Sequence, residues 1–292
     1  SEAPTSPSEA PTSALVLAGG GVAGIAWEIG VLYGIEEIDP GLSATILGAD
    51  VVVGTSAGAT VAAQITSGVP LAALFAAQVE ETTPELDVSV DMGELVARFA
   101  AATAGSRSPD ELRRRIGDLA TSTATVDESS RRAVIEARLP CWQWPDRMVS
   151  IVAVDVETGE EVVFDRHCGV SLVDAVAASC AVPGVWPPVT IAGRRYMDGG
   201  VRSSTNADLA AGCSRVLVVS PAPPDAPTIG TSSLADEIAK CRPAPVTVVS
   251  ADTASMAAFG TNPLSPATRK PSAEAGRRLG RQQAALLAGS WT

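Results

Sequence analysis

Val51-Val52-Val53-Gly54-Thr55-Ser56-Ala57-Gly58 places a GxSxG signature between a β-branched apolar run and a helix-length segment, Ala59 to Thr66. A buried strand, a tight turn and a helix in that order form the context of a nucleophile elbow. The serine must sit on a sharp, strained turn so that its hydroxyl is exposed, and small neighbours let strand and helix approach. A helix N-terminus also favours developing negative charge at Ser56.

Upstream, Ala14 to Ile35 is apolar for 22 residues apart from Glu28, long enough for a membrane span. Six glycines and the carboxylate argue instead for a buried strand (Ala14–Leu17), a glycine loop (Gly19–Gly24) and a buried helix (Ile25 to about Ile38). Further buried strands are expected at Met148–Val156, Val162–Phe164, Val216–Ser220 and Val246–Ser250, with a hairpin around Ala192-Gly193. Continuous Val/Ile/Leu runs are how a sheet covered on both faces reads. The pattern predicts a three-layer α/β/α fold with a mostly parallel central sheet.

Residues 84 to 145 break the strand–helix rhythm with helical stretches at Met92–Ala102, Glu111–Leu119 and Arg131–Arg138, then Cys141-Trp142-Gln143-Trp144-Pro145. They read either as a helical insertion over one end of the sheet or as an outer helical layer. Residues 1–13, SEAPTSP-SEAPTS, are a near-duplicated Pro/Ser/Thr/Glu segment, expected to be a disordered tail ahead of a domain at 14–270. Residues 271–292 read as a C-terminal helical tail. Its Arg277, Arg278 and Arg281 leave two readings, packing on the body or contact with a lipid surface.

The 292 residues are 46% apolar and 18% charged, which excludes a wholly disordered or collagenous chain. A net charge of −12 argues against a nucleic-acid partner and against strong recruitment to anionic membranes by the chain as a whole. Five cysteines with no CxxC pair, and one histidine, make a zinc site unsupported. Free thiols and a polar opening without a basic-then-apolar leader give the expectation of a cytoplasmic protein, with any membrane association peripheral.

Gly19-Gly20-Gly21-Val22-Ala23-Gly24 satisfies GxGxxG after a strand and before a helix, so a dinucleotide-binding domain using Gly19, Gly21 and Gly24 is one alternative. Its ribose-binding acid would have to come from Glu36, Glu37 or Asp39, which belong to the end of the helix. Beside a nucleophilic Ser56, the triple glycine has another use: amides from Gly19, Gly20, Gly21 and Val22 would converge as an oxyanion hole. Two partners for Ser56 can be written. A triad would use Asp155 and the sole histidine, His167, which sits in a polar loop. A carboxylate base would be Asp198, in Tyr196-Met197-Asp198-Gly199-Gly200.

The GGGxxG loop, GTSAG, ASCAVPGVWPPV and YMDGG, in that order from about Leu15 to Leu209, resemble the patatin-like phospholipase family. The resemblance implies a Ser-Asp dyad that hydrolyses lipid acyl esters without metal, nucleotide or other cofactor. By matching position Ser56 is the nucleophile and Asp198 the base, with Gly19 to Gly21 and their neighbours as the oxyanion hole. The Ala177–Gly184 stretch is expected to turn the chain beside the site, Asp155 to be structural, and Trp142, Trp144 or Trp186 to line an apolar acyl channel. The chain departs from the family pattern at Ala23, often Arg or Lys, at Ala18, often acidic or small polar, and in lacking Asn-x-Pro after Asp198-Gly199-Gly200. The missing cation questions how an anionic headgroup would be recognised. A catalytically inactive patatin-like scaffold is the other alternative.

Overall fold

The computed structural model describes residues 13–224, 226 and 230–291. The repeated segment at 1–12 lies outside the described residues, whereas Ser13 already belongs to the first strand, where its N–H donates to Asp50 Oδ2 at 2.8 Å.

Eight strands form one sheet: β1 (Ser13–Leu17), β2 (Val51–Thr55), β3 (Met148–Asp155), β4 (Glu161–Phe164), β5 (Val189–Ile191), β6 (Arg194–Asp198), β7 (Arg215–Ser220) and β8 (Val246–Ser250). The order is β5-β6-β3-β2-β1-β7-β8, with β4 also paired to β3. β3, β2, β1, β7 and β8 run parallel, while β4, β5 and β6 join by antiparallel pairing. The expected three-layer, mostly parallel α/β/α fold is the observed one.

The central strands β1, β2, β3 and β7 are largely apolar and buried because both faces are covered. Leu15, Leu17, Val52, Ile151, Leu217 and Val219 point to one core, and Ala14, Val16, Val53, Val152, Val216 and Val218 to the other, as the two-residue strand period requires. A smaller cluster joins Ile116 and Ala120 of helix Pro109–Ser122 to Val154, Val156 and Met197.

Between β2 and β3 the chain forms helices Ala57–Ile65, Leu71–Val79, Met92–Thr103, Pro109–Ser122 and Glu128–Arg138. The first helix, Gly21–Ile38, starts four residues earlier than its apolar run suggests. The Pro263 carbonyl accepts the Ala23 N–H at 2.9 Å and the Gly20 carbonyl accepts that of Gly24, so the helix extends into the glycine loop.

The last helix, Arg269–Trp291, lies against that first helix with unusually close backbones. A Cβ at Gly30 or Gly34 would collide with the carbonyl oxygens of Ala273 and Arg277, and one at Gly276 or Gly280 with those of Trp27 and Val31. Ala273, Leu279, Leu287 and Trp291 are buried in the main core. Arg277 and Arg281 both pair with Glu37, and Arg278 with Asp252. This helix packs on the body, and Arg277, Arg278 and Arg281 face protein carboxylates.

Candidate active site

Strand register brings Ser56 and Asp198 together. On β3, Ile151 has partners in both β2 and β4, and Ala153 in both β4 and β6, so β2 and β6 occupy the same edge of β3. β2 ends with Thr55 opposite Val152, and β6 ends with Asp198 opposite Ala153, the next residue along. The two strands run in opposite directions and meet C-terminus to C-terminus. The residue leaving β2 is Ser56, and the residue leaving β6 is Asp198.

Ser56 adopts φ 53° and ψ −111°, a region that costs a non-glycine residue about 1–3 kcal/mol. Its surroundings hold it there. The Ser56 N–H donates to Ser179 Oγ at 2.9 Å, and that hydroxyl donates to the Val152 carbonyl at 2.6 Å. The Ser56 carbonyl accepts from Cys180 Sγ at 3.1 Å and from the Ala59 and Thr60 amides. Gly58 is needed because any Cβ there would overlap the Leu17 carbonyl of β1. The Ala177–Gly184 stretch thus clamps the elbow directly through Ser179 and Cys180, a contact that sequence reading assigned only to chain turning.

Asp198 is 5% exposed. Its Oδ1 accepts the Gly200 N–H at 2.7 Å, and Gly199 packs so tightly on the Val152 carbonyl that a side chain would not fit. Oδ2 has no partner of ordinary hydrogen-bond geometry among the described residues. The Ser56 hydroxyl is nonetheless close enough to stabilise the carboxylate. Burial pushes the Asp198 carboxyl up to about 6, opposed by Ser56, the Gly200 amide and the Arg131 charge. A carboxyl at about 6 is largely ionised at neutral pH and binds a proton more readily than an ordinary aspartate.

The glycine loop divides into two roles. The Gly19 N–H donates to the Ser204 carbonyl at 2.7 Å, so that amide is already engaged. Those of Gly20, Gly21 and Val22 have no acceptor among the described residues. The same is true of Ala57, whose amide follows Ser56. Gly21, Val22, Ser56 and Ala57 line one pocket, completed by Ile25, Arg131, Arg138, Cys180, Val182, Trp186 and Leu264. Ala57 was not singled out from the sequence, since a backbone amide has no side-chain signature. The space in front of Ser56 is about 10 Å³, one water's worth.

A patatin-like phospholipase family model matches residues 15–211, which contain all four motifs and both Ser56 and Asp198. The chain belongs to the patatin-like phospholipase family. Among solved structures, VipD from Legionella pneumophila is 13% identical, with 85% of this chain and 53% of that one covered and a TM-score of 0.39. The type III effector protein ExoU is 18% identical, with 92% and 54% covered and a TM-score of 0.35. ExoU in complex with SpcU from the Pseudomonas aeruginosa type III secretion system is 16% identical, with 97% and 53% covered and a TM-score of 0.41. This patatin-like chain spans about half the length of each.

The alternative constellations fall apart in space. Asp155 Oδ1 accepts the amides of Glu157 and Thr158 and the Thr158 hydroxyl, and Oδ2 pairs with Arg194, so it caps a turn. His167 is exposed in the loop after β4 and donates its N–H to Asp165. For a dinucleotide, the acid should follow the second strand, but β2 ends at Thr55. Glu36 and Glu37 sit on the first helix roughly 22 Å of rise beyond Gly21. Asp39 caps the next helix by accepting the Leu42 N–H. Of the three tryptophans, Trp186 lines the Ser56 pocket, Trp142 is exposed, and Trp144 is half-buried with its indole N–H on the Val170 carbonyl. Among the described residues no His/Cys/Asp/Glu cluster could hold a metal, all five cysteines are free, and no helix is long and apolar enough to cross a membrane.

Proposed function

We propose that this patatin-like protein is a serine lipid acyl hydrolase of the phospholipase A or esterase type, working through a Ser56–Asp198 dyad. The observation that carries the reading is a strained Ser56 beside a buried carboxylate whose second oxygen is otherwise unengaged. Asp198 takes the hydroxyl proton as Ser56 Oγ attacks the ester carbonyl. The oxyanion is held by amides drawn from Gly20, Gly21, Val22 and Ala57. As the tetrahedral intermediate collapses, Asp198 returns the proton to the departing alkoxide, releasing an alcohol or lysolipid. Water then gives a proton to Asp198 and attacks the acyl-enzyme, and the proton returns to Ser56 as the fatty acid leaves. The helices between residues 84 and 145 serve as the cover over the site, a role supported by the Arg131 and Arg138 side chains in its lining. A lipid substrate brings with it a peripheral encounter with a lipid surface.

Fluorophosphonate labelling with peptide mapping tests the dyad without requiring the natural ester. The expected adduct is on Ser56; it is lost in Asp198→Ala and retained in His167→Ala. No adduct on folded protein would favour an inactive scaffold, and loss in His167→Ala with intact folding would restore a triad.

A further inference from the structure

Three buried arginines surround Glu85, and they are not equivalent. Arg138 makes a bidentate pair with Glu85 at 2.6 and 2.7 Å. Arg269 donates to the carbonyls of Ala77 and Glu80. Arg131, from helix Glu128–Arg138, is 6% exposed, yet its Nε and Nη1 have no hydrogen-bond partner among the described residues. Its guanidinium lies over the Trp186 ring at 3.8 Å from the centroid.

Stacking satisfies the flat face of a guanidinium and leaves its in-plane N–H edge unsatisfied. A buried cation with unfilled donors is costly, and the nearby charges do not remove the deficit: Arg138 repels it, Glu85 is held by Arg138, and Asp198 is turned to Ser56 and Gly200. Burial and Arg138 bring Arg131 down to about 9, which keeps it charged at neutral pH. The same residue lines the Ser56 pocket. Next to it, sharing Val22, Ile25 and Arg138, is a cavity of about 170 Å³ whose walls include Gln64, Thr82, Thr83 and Arg269, together with Glu80 and the Arg138-paired Glu85. Gln64 Oε1 is also buried without a partner. At Ala23, by contrast, the glycine loop offers no cation.

We propose that Arg131 is a specificity-determining residue of the Ser56 site, its free N–H edge gripping an anionic oxygen group, phosphate or carboxylate, carried by the substrate close to the scissile ester. A cation absent from the glycine loop is thus supplied by helix Glu128–Arg138, and the adjoining cavity takes the rest of the substituent. Identification of that group as part of a substrate rests on the hydrolase reading above; the anion site itself does not.

Binding to Ser56→Ala, followed by tryptophan fluorescence, separates the two. Octyl phosphate and octanoate are compared with neutral 1-O-octylglycerol. At least one anion is expected to bind about tenfold tighter than the neutral ligand, the scale of a charge-assisted bidentate contact. Whichever leads identifies phosphate or carboxylate as the group recognised. Adding Arg131→Gln should collapse the preference, and Arg131→Lys should keep part of it. No anion preference in Ser56→Ala, or a preference that survives Arg131→Gln, would overturn the proposal. If Arg131→Gln does not fold, inorganic phosphate competition against octyl phosphate in the Arg131-containing protein decides: displacement supports the site and its absence refutes it. Anion preference in a protein whose Ser56 resists fluorophosphonate would leave the site standing and remove the hydrolase.

Discussion

The Ser179 hydroxyl lies between the Ser56 amide and the Val152 carbonyl, accepting from one at 2.9 Å and donating to the other at 2.6 Å. It ties the nucleophile elbow to β3, the strand that also carries Asp198 through its pairing with Ala153. One side chain therefore holds the strained residue in register with its base. Ser179→Ala leaves a buried N–H and a buried carbonyl unpaired and should cost about 1–3 kcal/mol in urea unfolding. Because the elbow is loosened and the substrate walls are untouched, kcat on a p-nitrophenyl ester should fall by roughly ten- to a hundredfold with KM little changed. A loss confined to KM would show that Ser179 acts elsewhere.

The paired glycines of the first and last helices make a second prediction. Gly30 and Gly276 each face a carbonyl of the opposite helix with no room for a methyl group. Gly30→Ala or Gly276→Ala gains helix propensity of about 1 kcal/mol but must push two closely packed helices apart. The net expectation is destabilisation by about 2 kcal/mol or more, read by thermal unfolding. Gly289→Ala, which meets nothing within 4 Å, should instead be neutral or stabilising. Equal behaviour of the internal and terminal variants would refute the close contact.

The turns that carry Ser56 and Asp198 were legible locally, because a GxSxG turn and an Asp-Gly-Gly turn each require particular residues. Their meeting was not derivable from either segment alone: it depends on β2 and β6 each pairing with the same edge of β3, a strand distant from both in the chain. The same non-locality hid the engagement of the Gly19 amide by Ser204 and the early helix start set by Pro263. Arg131 was hidden for another reason. It adjoins Arg132, which pairs with Glu136 and Asp174, and only the helical phase turns one arginine inward and the other to carboxylates. A signal that was available is the four-residue glycine spacing repeated at Gly30/Gly34 and Gly276/Gly280, which marks two helices able to approach closely.

Glu28 supplies a third test. It is fully buried; Oε1 accepts the Ala18 N–H at 2.9 Å, and Oε2 has no partner among the described residues. Burial raises its pKa well above 4.5, so the folded protein keeps a proton that the unfolded chain releases. Stability from this group is fully present below 4.5 and is lost as pH rises through the raised value. Glu28→Gln keeps an acceptor for Ala18 and removes the titration. Its urea midpoint should match the parent at acidic pH and exceed it at alkaline pH, with the gap widening as pH rises. A constant gap would mean that Glu28 does not titrate in the fold.

Asp198 should couple activity and stability with opposite signs. Its carboxyl moves from an ordinary 3.8 to about 6, chiefly through burial. As base it must be ionised, so kcat/KM should rise with pH and level off above about 6. Over the same window, from 3.8 to about 6, the folded state binds the proton more tightly than the unfolded state, so this group's contribution to stability declines as pH rises. Asp198→Asn should abolish turnover while making the fold more stable than the parent at neutral pH, by up to about 3 kcal/mol. The advantage should shrink toward acidic pH, where Asp198 is protonated in both states. Since the Arg131 charge holds Asp198 down, Arg131→Gln should move the midpoint of the rate profile upward. A midpoint unmoved in Arg131→Gln, together with no stability gain in Asp198→Asn, would place the titrating base elsewhere.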